Sequence, residues 1–275
     1  VYWFTIFAPK QVLTYKGGET EDSFSILVSN VFQPNRKSEL LINLVNKYKP
    51  DLFLVLEADK WWDNQLRAIE SDYEYKVKKP QDNLYGMILY SKLELSDQKI
   101  NFLFEDDIPS FEAMVKLNNL AKFKIYCLHP RPPFPTESET STNRDAELLV
   151  VGKKVEKHDS PVIIFGDFND VAWSNTTRLF QKISELLDPR IGRGFYNSFH
   201  AGYALFRWSL DHVFHSTHFQ LMDLKRLGNI GSDHFPIYIK LHYKPEEKEL
   251  QEEPEANEEE LELADEKIET AREEN

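Results

Sequence analysis

Apolar runs of strand length alternate with helix-like segments from Ser23 to about residue 243, and this alternation limits the possible folds more than any other feature. Residues 24–30 read as a strand, and the continuous apolar run at 51–57 predicts a second strand, buried on both faces. Between them, residues 37–48 carry leucines at helical spacing and are followed by Lys49-Pro50, which ends a helix. The chain is therefore expected to build a layered α/β domain.

A hairpin signal and a late run of strands distinguish between two layered folds. Residues 111–117 and 122–129 predict strands that face each other across a short turn, and three further strands follow one another after about residue 207. Strictly parallel sheets need crossover helices, so this pattern favours a four-layered α/β/β/α sandwich, with two packed mixed β-sheets flanked by helices. Helices near 144–157 and 176–187 would belong to the outer layers. A single doubly wound sheet is the alternative.

Charge divides the chain into a nearly neutral body and an acidic tail. Of the 46 acidic residues, 15 lie in residues 245–275, against three of the 33 basic residues. The remaining 31 acidic and 30 basic residues nearly cancel. The tail has no aromatic residue and few apolar ones, so it is expected to be a solvated appendage that is mostly disordered and at most partly helical. Residues 23–244 are then expected to form one folded domain.

The first 22 residues open with the apolar and aromatic stretch VYWFTIFAP. A strap packed on the domain and the stub of a removed membrane anchor are equally compatible with such a stretch. Both alternatives stay open at this point.

Two polar clusters stand directly beside strand-like runs. Gly166-Asp167-Phe168-Asn169 follows the run PVIIF, and Ser232-Asp233-His234 precedes the run FPIYIKL. Both clusters are thereby delivered to sheet ends, where the catalytic groups of layered α/β proteins collect. Carboxylates, an amide and an imidazole brought together can hold a divalent cation, align a water and stabilise a phosphoryl transition state. The sequence therefore predicts metal-dependent hydrolysis of phosphoester bonds.

Seven short motifs occur in one order along the chain: SNV, LVLEAD, YGMILYS, CLHPRPP, GDFND, LDHVF and GSDHFP. With these motifs the chain resembles the endonuclease/exonuclease/phosphatase superfamily over about residues 23–243. Their joint occurrence in this order is far more specific than any one of them. The resemblance implies the four-layered fold and a phosphoester hydrolase.

The resemblance also implies the metal ligands. Glu57 matches the family's carboxylate ligand for Mg²⁺ or Mn²⁺, and a carboxylate at the end of a buried strand is costly unless a cation or donor compensates it. Asn30 matches the amide that supports this ligand, and Asp233 would complete the metal side. Several nucleases of the family carry another acidic residue shortly after the Asn, whereas Val31, Phe32 and Gln33 stand here. One ion is therefore expected.

The catalytic roles follow from the same resemblance. Asp167 and Asn169 match the pair that orients the attacking water and binds the phosphoryl oxygen, tasks that suit a carboxylate and a neutral amide. His234 matches the catalytic histidine, supported by Asp211. His129 matches a second histidine that contacts the scissile phosphate.

Three further residues are weaker candidates for contacts with the substrate. Arg131 and Arg144 flank the Pro-rich loop and have the planar donor geometry that suits phosphate. Trp173 lies beside the GDFND motif and has a ring that stacks on a base or a lipid headgroup. Surface solvation or a salt bridge with Asp145 for the arginines, and packing for the tryptophan, are the alternative interpretations.

The segment from the Pro-rich loop to GDFNDVAW is similar to a bacterial branch of the superfamily. Its members often carry N-terminal membrane helices before an extracytoplasmic catalytic domain, which favours the anchor interpretation of the first residues. A nearly neutral body lowers the expectation of long nucleic acid as substrate and leaves phospholipid headgroups and small phosphodiesters. The competing hypothesis is a catalytically silent, membrane-tethered binding module of the same fold.

Overall fold

A computed structural model describes residues 1–133, 141–156, 160–203 and 206–274. The centre of the Pro-rich loop and residue 157, the expected end of one helix, lie outside these ranges.

The strands are Ser23–Asn30 (β1), Leu52–Leu56 (β2), Tyr75–Lys79 (β3), Met87–Ser91 (β4), Glu94–Asn101 (β5), Ser110–Lys116 (β6), Lys122–Leu128 (β7), Val162–Asp167 (β8), Asp211–His215 (β9), Phe219–Arg226 (β10) and Ile237–Tyr243 (β11). The α-helices are Ser38–Tyr48 (α1), Lys60–Leu66 (α2), Thr142–Glu156 (α3), Asn175–Ser184 (α4) and Glu258–Glu274 (α5).

The strands form two mixed sheets. The first has the order β10-β11-β1-β2-β4-β3 and the second the order β5-β6-β7-β8-β9. Within them β1 and β2 are parallel, as are β7 and β8, while the other neighbours are antiparallel. The predicted sandwich of two packed mixed sheets flanked by helices is confirmed, and the single doubly wound sheet is excluded.

Three apolar clusters hold the four layers together. Alternate side chains of β1 explain the arrangement, because Ile26 and Val28 lie in the cluster between the sheets, whereas Leu27 lies in the cluster that includes Leu41 of α1 and Trp62 of α2. The third cluster packs α3, α4 and α5 against the outer face of the second sheet. A strand buried on both faces shows no two-residue period, which is why these strands read as continuous apolar runs.

The acidic tail departs from its prediction. Residues 258–274 are the helix α5, and Ala264, Ile268 and Ala271 on one face of it are buried against the cluster that includes α3. The expectation that residues 245–275 stay mostly disordered is wrong, because a narrow stripe of small and aliphatic residues at helical spacing is enough when a fitted surface receives it. Among the described helices, none combines the length and the apolar character that crossing a bilayer requires.

The N-terminal segment packs on the domain at some positions and faces solvent at others. Phe4 is buried and stacks on Phe195 with ring centroids 6.0 Å apart, and Thr14 forms a bridge with Leu221 of β10. Large apolar side chains nearby are exposed: Val1, Tyr2, Trp3, Ile6 and Phe7. The expectation of a membrane anchor stays a prediction.

Gly166 in β8 is required by the close approach of the neighbouring strand. Its φ of 150° is one that side chains rarely adopt, and a Cβ there would lie 1.9 Å from the carbonyl oxygen of Leu128. Glycine lets the backbone of β8 come this close to β7 just before Asp167. The position of the functional carboxylate therefore depends on a missing side chain.

We predict that Gly166→Ala lowers the free energy of unfolding by about 3 kcal/mol, because the added methyl group must displace the β7 backbone. Gly228→Ala is the matched control, since nothing lies within 4 Å of a Cβ at that position. Urea denaturation of both variants measures the difference. Equal stability of the two variants would contradict the assigned role of Gly166.

Glu112 on β6 is a buried carboxylate among lysines. Its oxygens lie 2.7 Å from Lys124 Nζ, 2.5 Å from Lys154 Nζ and 3.5 Å from Lys99 Nζ. Burial alone would raise the pKa of Glu112, but the hydrogen bonds from Lys124 and Lys154 outweigh it and lower the pKa to about 2. The ionised form is therefore favoured by folding.

Because the folded pKa lies below the ordinary value of 4.5, this stabilisation is complete above about pH 4.5 and is lost as the pH falls towards 2. We predict that Glu112→Gln removes about 1–2 kcal/mol of stability at pH 7 and little at pH 2.5. Thermal unfolding of the parent protein and the variant between pH 2.5 and pH 7 measures this loss of stability. Glu94→Gln is the control, since Glu94 pairs with Lys116 on the exposed edge of the same sheet. A pH dependence of stability that is the same in both variants would refute the prediction.

Candidate active site

Strand register brings four site residues together at one end of the sandwich. In the first sheet Asn30 pairs with Leu56 at the ends of parallel β1 and β2, so Glu57 follows directly beside Asn30. In the second sheet Asp167 pairs with Asp211 where antiparallel β8 ends and β9 begins. These adjacent strand ends meet, because Asn30 Nδ2 lies 2.8 Å from Glu57 Oε1 and 3.1 Å from Asp167 Oδ2.

Glu57 is a carboxylate in a confined place. It has a φ of 59°, in the left-handed region, and its second oxygen accepts a hydrogen bond of 3.1 Å from the Gln33 backbone. Burial raises the pKa of Glu57 to about 7, against the opposing effects of the Asn30 and Gln33 hydrogen bonds. An uncommon backbone conformation at a buried acid is typical of a functional site.

Asp167 lies at the centre of the site. Its Oδ1 accepts a hydrogen bond of 2.9 Å from the Asn169 backbone, and its Oδ2 lies 3.5 Å from His234 Nε2 and 4.0 Å from His129 Nε2. Asn169 has a φ of 50°, and its Nδ2 donates to the Pro130 carbonyl at 2.9 Å. The tight turn after β8 thus aims the Asp167 carboxylate at two imidazoles.

His234 is held by a buried carboxylate on its other nitrogen. Its Nδ1 lies 2.8 Å from Asp211 Oδ2, and both side chains are almost fully buried. Burial alone would lower the pKa of His234, but the charges of Asp211 and Asp167 outweigh it and raise the pKa to about 10. His234 is therefore an imidazolium at neutral pH, with Nε2 directed at Asp167.

Two groups of residues can be considered for a metal ion. Ligand atoms of Asp167, Asp211 and His234 lie within 4.8 Å of one another, and Asp211 Oδ1 is buried with no hydrogen-bond partner among the described residues. In this group both ring nitrogens of His234 already face carboxylates, Nδ1 at 2.8 Å from Asp211 and Nε2 at 3.5 Å from Asp167. Glu57 presents carboxylate oxygens of the kind that Mg²⁺ and Mn²⁺ prefer, and Asn30 Nδ2 holds this carboxylate in place at 2.8 Å.

Asp233 lies on the Glu57 side of His234. Its carboxylate is 3.3 Å from Ser232 Oγ, and its charge contributes to the raised pKa of Glu57. Its backbone carbonyl accepts a hydrogen bond from the backbone N–H of Ala201, so the segment is also tied to the stretch at 199–203. The structure therefore brings together all the residues that the resemblance assigned to the metal and to catalysis: Asn30, Glu57, His129, Asp167, Asn169, Asp211, Asp233 and His234.

Arg131 and Arg144 both form ion pairs with carboxylates of this chain, and the expected phosphate contacts stay a prediction. Arg131 Nε pairs with Glu105 at 2.7 Å at the rim. Arg144 is largely buried and donates to Asp145 and to the backbone carbonyl of Asn169 at 2.7 and 2.9 Å. Its guanidinium supports the turn after β8, because buried carboxylate and carbonyl oxygens take its donors first.

Trp173 packs instead of presenting a free ring face. Its ring meets Phe4 and Phe195 edge-on, with centroids 6.3 and 5.6 Å away. The alternative interpretation of Trp173 as a packing residue therefore agrees with these ring contacts.

Sequence reasoning missed a buried network behind the site. Arg190 pairs with Asp188 at 2.7 Å and also lies 2.7 Å from His212 Nδ1. His212 Nε2 in turn lies 2.9 Å from the carbonyl oxygen of Asp170. Burial and the charge of Arg190 keep the pKa of His212 well below its usual range, so the neutral ring accepts from Arg190 and donates to Asp170. No local motif announces this network, because its members come from separate segments.

Exposed aromatic side chains border the site beside His234. Phe199 forms a bridge with His234, and their rings are 4.9 Å apart. Three aromatic residues that follow Phe199 in the chain keep between 38% and 64% of their surface exposed: Tyr203, Phe206 and Trp208. Such rings offer flat apolar faces to a bound molecule.

Comparison with known proteins agrees with this arrangement. The model of the endonuclease/exonuclease/phosphatase family matches residues 27–234. No curated protein matches the sequence.

Several solved structures share the fold. Zebrafish (D. rerio) TDP2 complexed with a single-strand DNA product has a TM-score of 0.67 at 17% identity, covering 80% of this chain and 99% of that one. The human Nocturnin catalytic domain with bound sulfate has a TM-score of 0.64 at 14% identity, covering 81% and 94%. A Bacteroides thetaiotaomicron mannosyl-6-phosphatase has a TM-score of 0.59 at 17% identity, covering 80% and 100%.

The family match spans the strand ends that carry Glu57, Asp167, Asp211 and His234. This chain belongs to the endonuclease/exonuclease/phosphatase family.

Proposed function

We propose that the protein is a divalent-metal-dependent hydrolase of phosphoester bonds that works by in-line attack of water. The observation that carries this proposal is the convergence on Asp167 Oδ2 of Asn30 at 3.1 Å, His234 at 3.5 Å and His129 at 4.0 Å. A carboxylate that accepts a proton and imidazoles that face the same point are the groups that phosphoryl transfer needs. The family to which the chain belongs supports the same reaction.

The residues divide the work by charge. Asp167 orients the attacking water and takes its proton as the new P–O bond forms. His234, kept cationic by Asp211, stabilises the negative charge of the transferring phosphoryl group without first having to gain a proton. His129, on the other side of Asp167, lies where it can contact the scissile phosphate or the departing oxygen.

Glu57, Asn30 and Asp233 are the residues that would hold one Mg²⁺ or Mn²⁺. When bound, the ion supplies Lewis-acid stabilisation of the phosphoryl oxygens. The support lies in the carboxylate itself, because burial raises the pKa of Glu57 to about 7 and a cation is the natural replacement for that proton.

The charge of the rim favours a small phosphoester over long nucleic acid. Arg131 is the nearest cation to His129 along the chain, and it pairs with Glu105 and Asp107. The adjacent Asp106 is also exposed. A carboxylate-rich edge repels a polyanion that runs along it, whereas one phosphoryl group entering the centre avoids that edge.

A substrate panel tests the reaction. We expect Mg²⁺-stimulated cleavage of at least one of bis-p-nitrophenyl phosphate, a sugar phosphate and a phospholipid, and weaker cleavage of plasmid DNA and RNA. Asp167→Asn should lower kcat by about 10²–10⁴-fold, because an amide cannot take the proton of water. Asp106→Asn, at an exposed position of the rim, is the isosteric control and should keep kcat.

Turnover by Asp167→Asn near the level of the parent protein would refute the assigned role. Failure of the parent protein on the whole panel would favour the catalytically silent binding module instead.

Removal of the ion tests the metal site. A chelator should abolish hydrolysis, and Mg²⁺ or Mn²⁺ should restore it. Glu57→Gln should raise the Mg²⁺ concentration for half-maximal activity by about 10-fold or more, because it removes the charged ligand but keeps its shape. Isothermal titration with Mg²⁺ checks binding independently of turnover. An unchanged Mg²⁺ affinity in Glu57→Gln would place the ion elsewhere.

A further inference from the structure

We propose that Lys267 on the C-terminal helix α5 is a positioning residue for the active site. It acts through Asp145 and Arg144 on the turn that carries Asp167 and Asn169. The inference rests on the proposed function only where turnover is the measurement. Its structural content is a continuous set of contacts from α5 to the catalytic turn.

The first link is a shared buried carboxylate. Lys267 Nζ donates to Asp145 Oδ2 at 2.8 Å, and Thr176 Oγ1 donates to the same oxygen at 2.8 Å. Arg144 donates to the other oxygen, Oδ1, from Nε at 3.1 Å and from Nη2 at 2.7 Å. Asp145 is only 3% exposed, so its charge is compensated by one cation on each side.

The balance of these contacts sets the direction in which the pKa of Asp145 is shifted. Burial alone would raise its pKa, but the hydrogen bonds from Lys267 and Arg144 hold it below the ordinary value. Removal of Lys267 leaves a buried negative charge with Arg144 as its remaining cation. Arg144 is then drawn more strongly towards Asp145 and away from its other partner.

That other partner is the catalytic turn. Arg144 Nη1 donates to the backbone carbonyl of Asn169 at 2.9 Å and lies 3.7 Å from Asp170 Oδ1. Asn169 has a φ of 50°, a conformation that persists only when the surroundings hold it. The backbone N–H of Asn169 donates to Asp167 Oδ1 at 2.9 Å. The contact from Arg144 to the Asn169 carbonyl therefore lies one residue from the hydrogen bond that orients the catalytic carboxylate.

The other ion pairs of α5 do not lead to the site. Lys153 pairs with Asp265 at 2.5 Å, and Lys182 pairs with Glu260 at 2.5 Å. Asp265 is an exposed partner, with 62% of its side chain accessible, so this pair joins α3 to α5 at the surface. Lys153→Met is therefore a matched control, since it removes one lysine between the same two helices without touching Asp145.

The experiment compares Lys267→Met with Lys153→Met in the full chain. We expect kcat to fall about 10-fold in Lys267→Met with KM within about twofold, because a small displacement of the turn affects the transition state most. Lys153→Met should keep both constants. Lys267→Arg should restore kcat, since it returns the charge, and Lys267→Gln serves in place of the Met variant if that variant does not fold.

Hydrogen exchange gives a readout that needs no substrate. The amides of residues 168–170 should exchange at least fivefold faster in Lys267→Met than in Lys153→Met, while those of β1 remain equal in both. If no variant shows turnover, the proposed function fails and the exchange rates still decide the inference. Equal exchange of this turn and equal kcat in the two variants would overturn it, even if both variants lose thermal stability.

Discussion

The site depends on one buried carboxylate, Asp167, that is shared by groups from both sheets. Asn30 and, just before β11, His234 reach it from the first sheet at 3.1 and 3.5 Å, and His129, directly after β7, approaches it from the second sheet at 4.0 Å. A charge so far from water is stable only while these partners stay in place. The packing of the two sheets therefore also sets the geometry of the site, and the apolar cluster between the sheets stabilises both.

Electrostatic separation of the two sides of this carboxylate underlies the proposed division of the cleft between a protonated histidine and a metal ion. On one side, Asp211 and Asp167 face the two ring nitrogens of His234, and their charges raise its pKa. On the other side, burial raises the pKa of Glu57 to about 7, and Asn30 and the Gln33 backbone donate hydrogen bonds to its two oxygens. Neighbouring titratable groups whose environments push their pKa values apart are typical of acid and base division in enzymes.

The acidic C-terminal segment shows where composition misleads. Its charge density suggests solvation, yet Leu261, Ala264, Ile268 and Ala271 follow helical spacing and pack on the third cluster. Its lysine at 267 enters the interior to meet Asp145. Average composition does not reveal either contact, because a helix needs only a narrow apolar stripe to dock and Lys267 needs only one partner within reach to form the ion pair.

The sequence by itself determined the layered fold and the main site, because continuous apolar runs identify doubly buried strands and Glu57, Asp167 and His234 lie at the ends of such runs. It also left β5 unrecognised, since that strand is largely polar and exposed. Only the tertiary structure decided that Arg144 supports the turn, that Trp173 packs, and that α5 belongs to the domain. These facts depend on contacts between distant segments, which no local pattern of residues encodes.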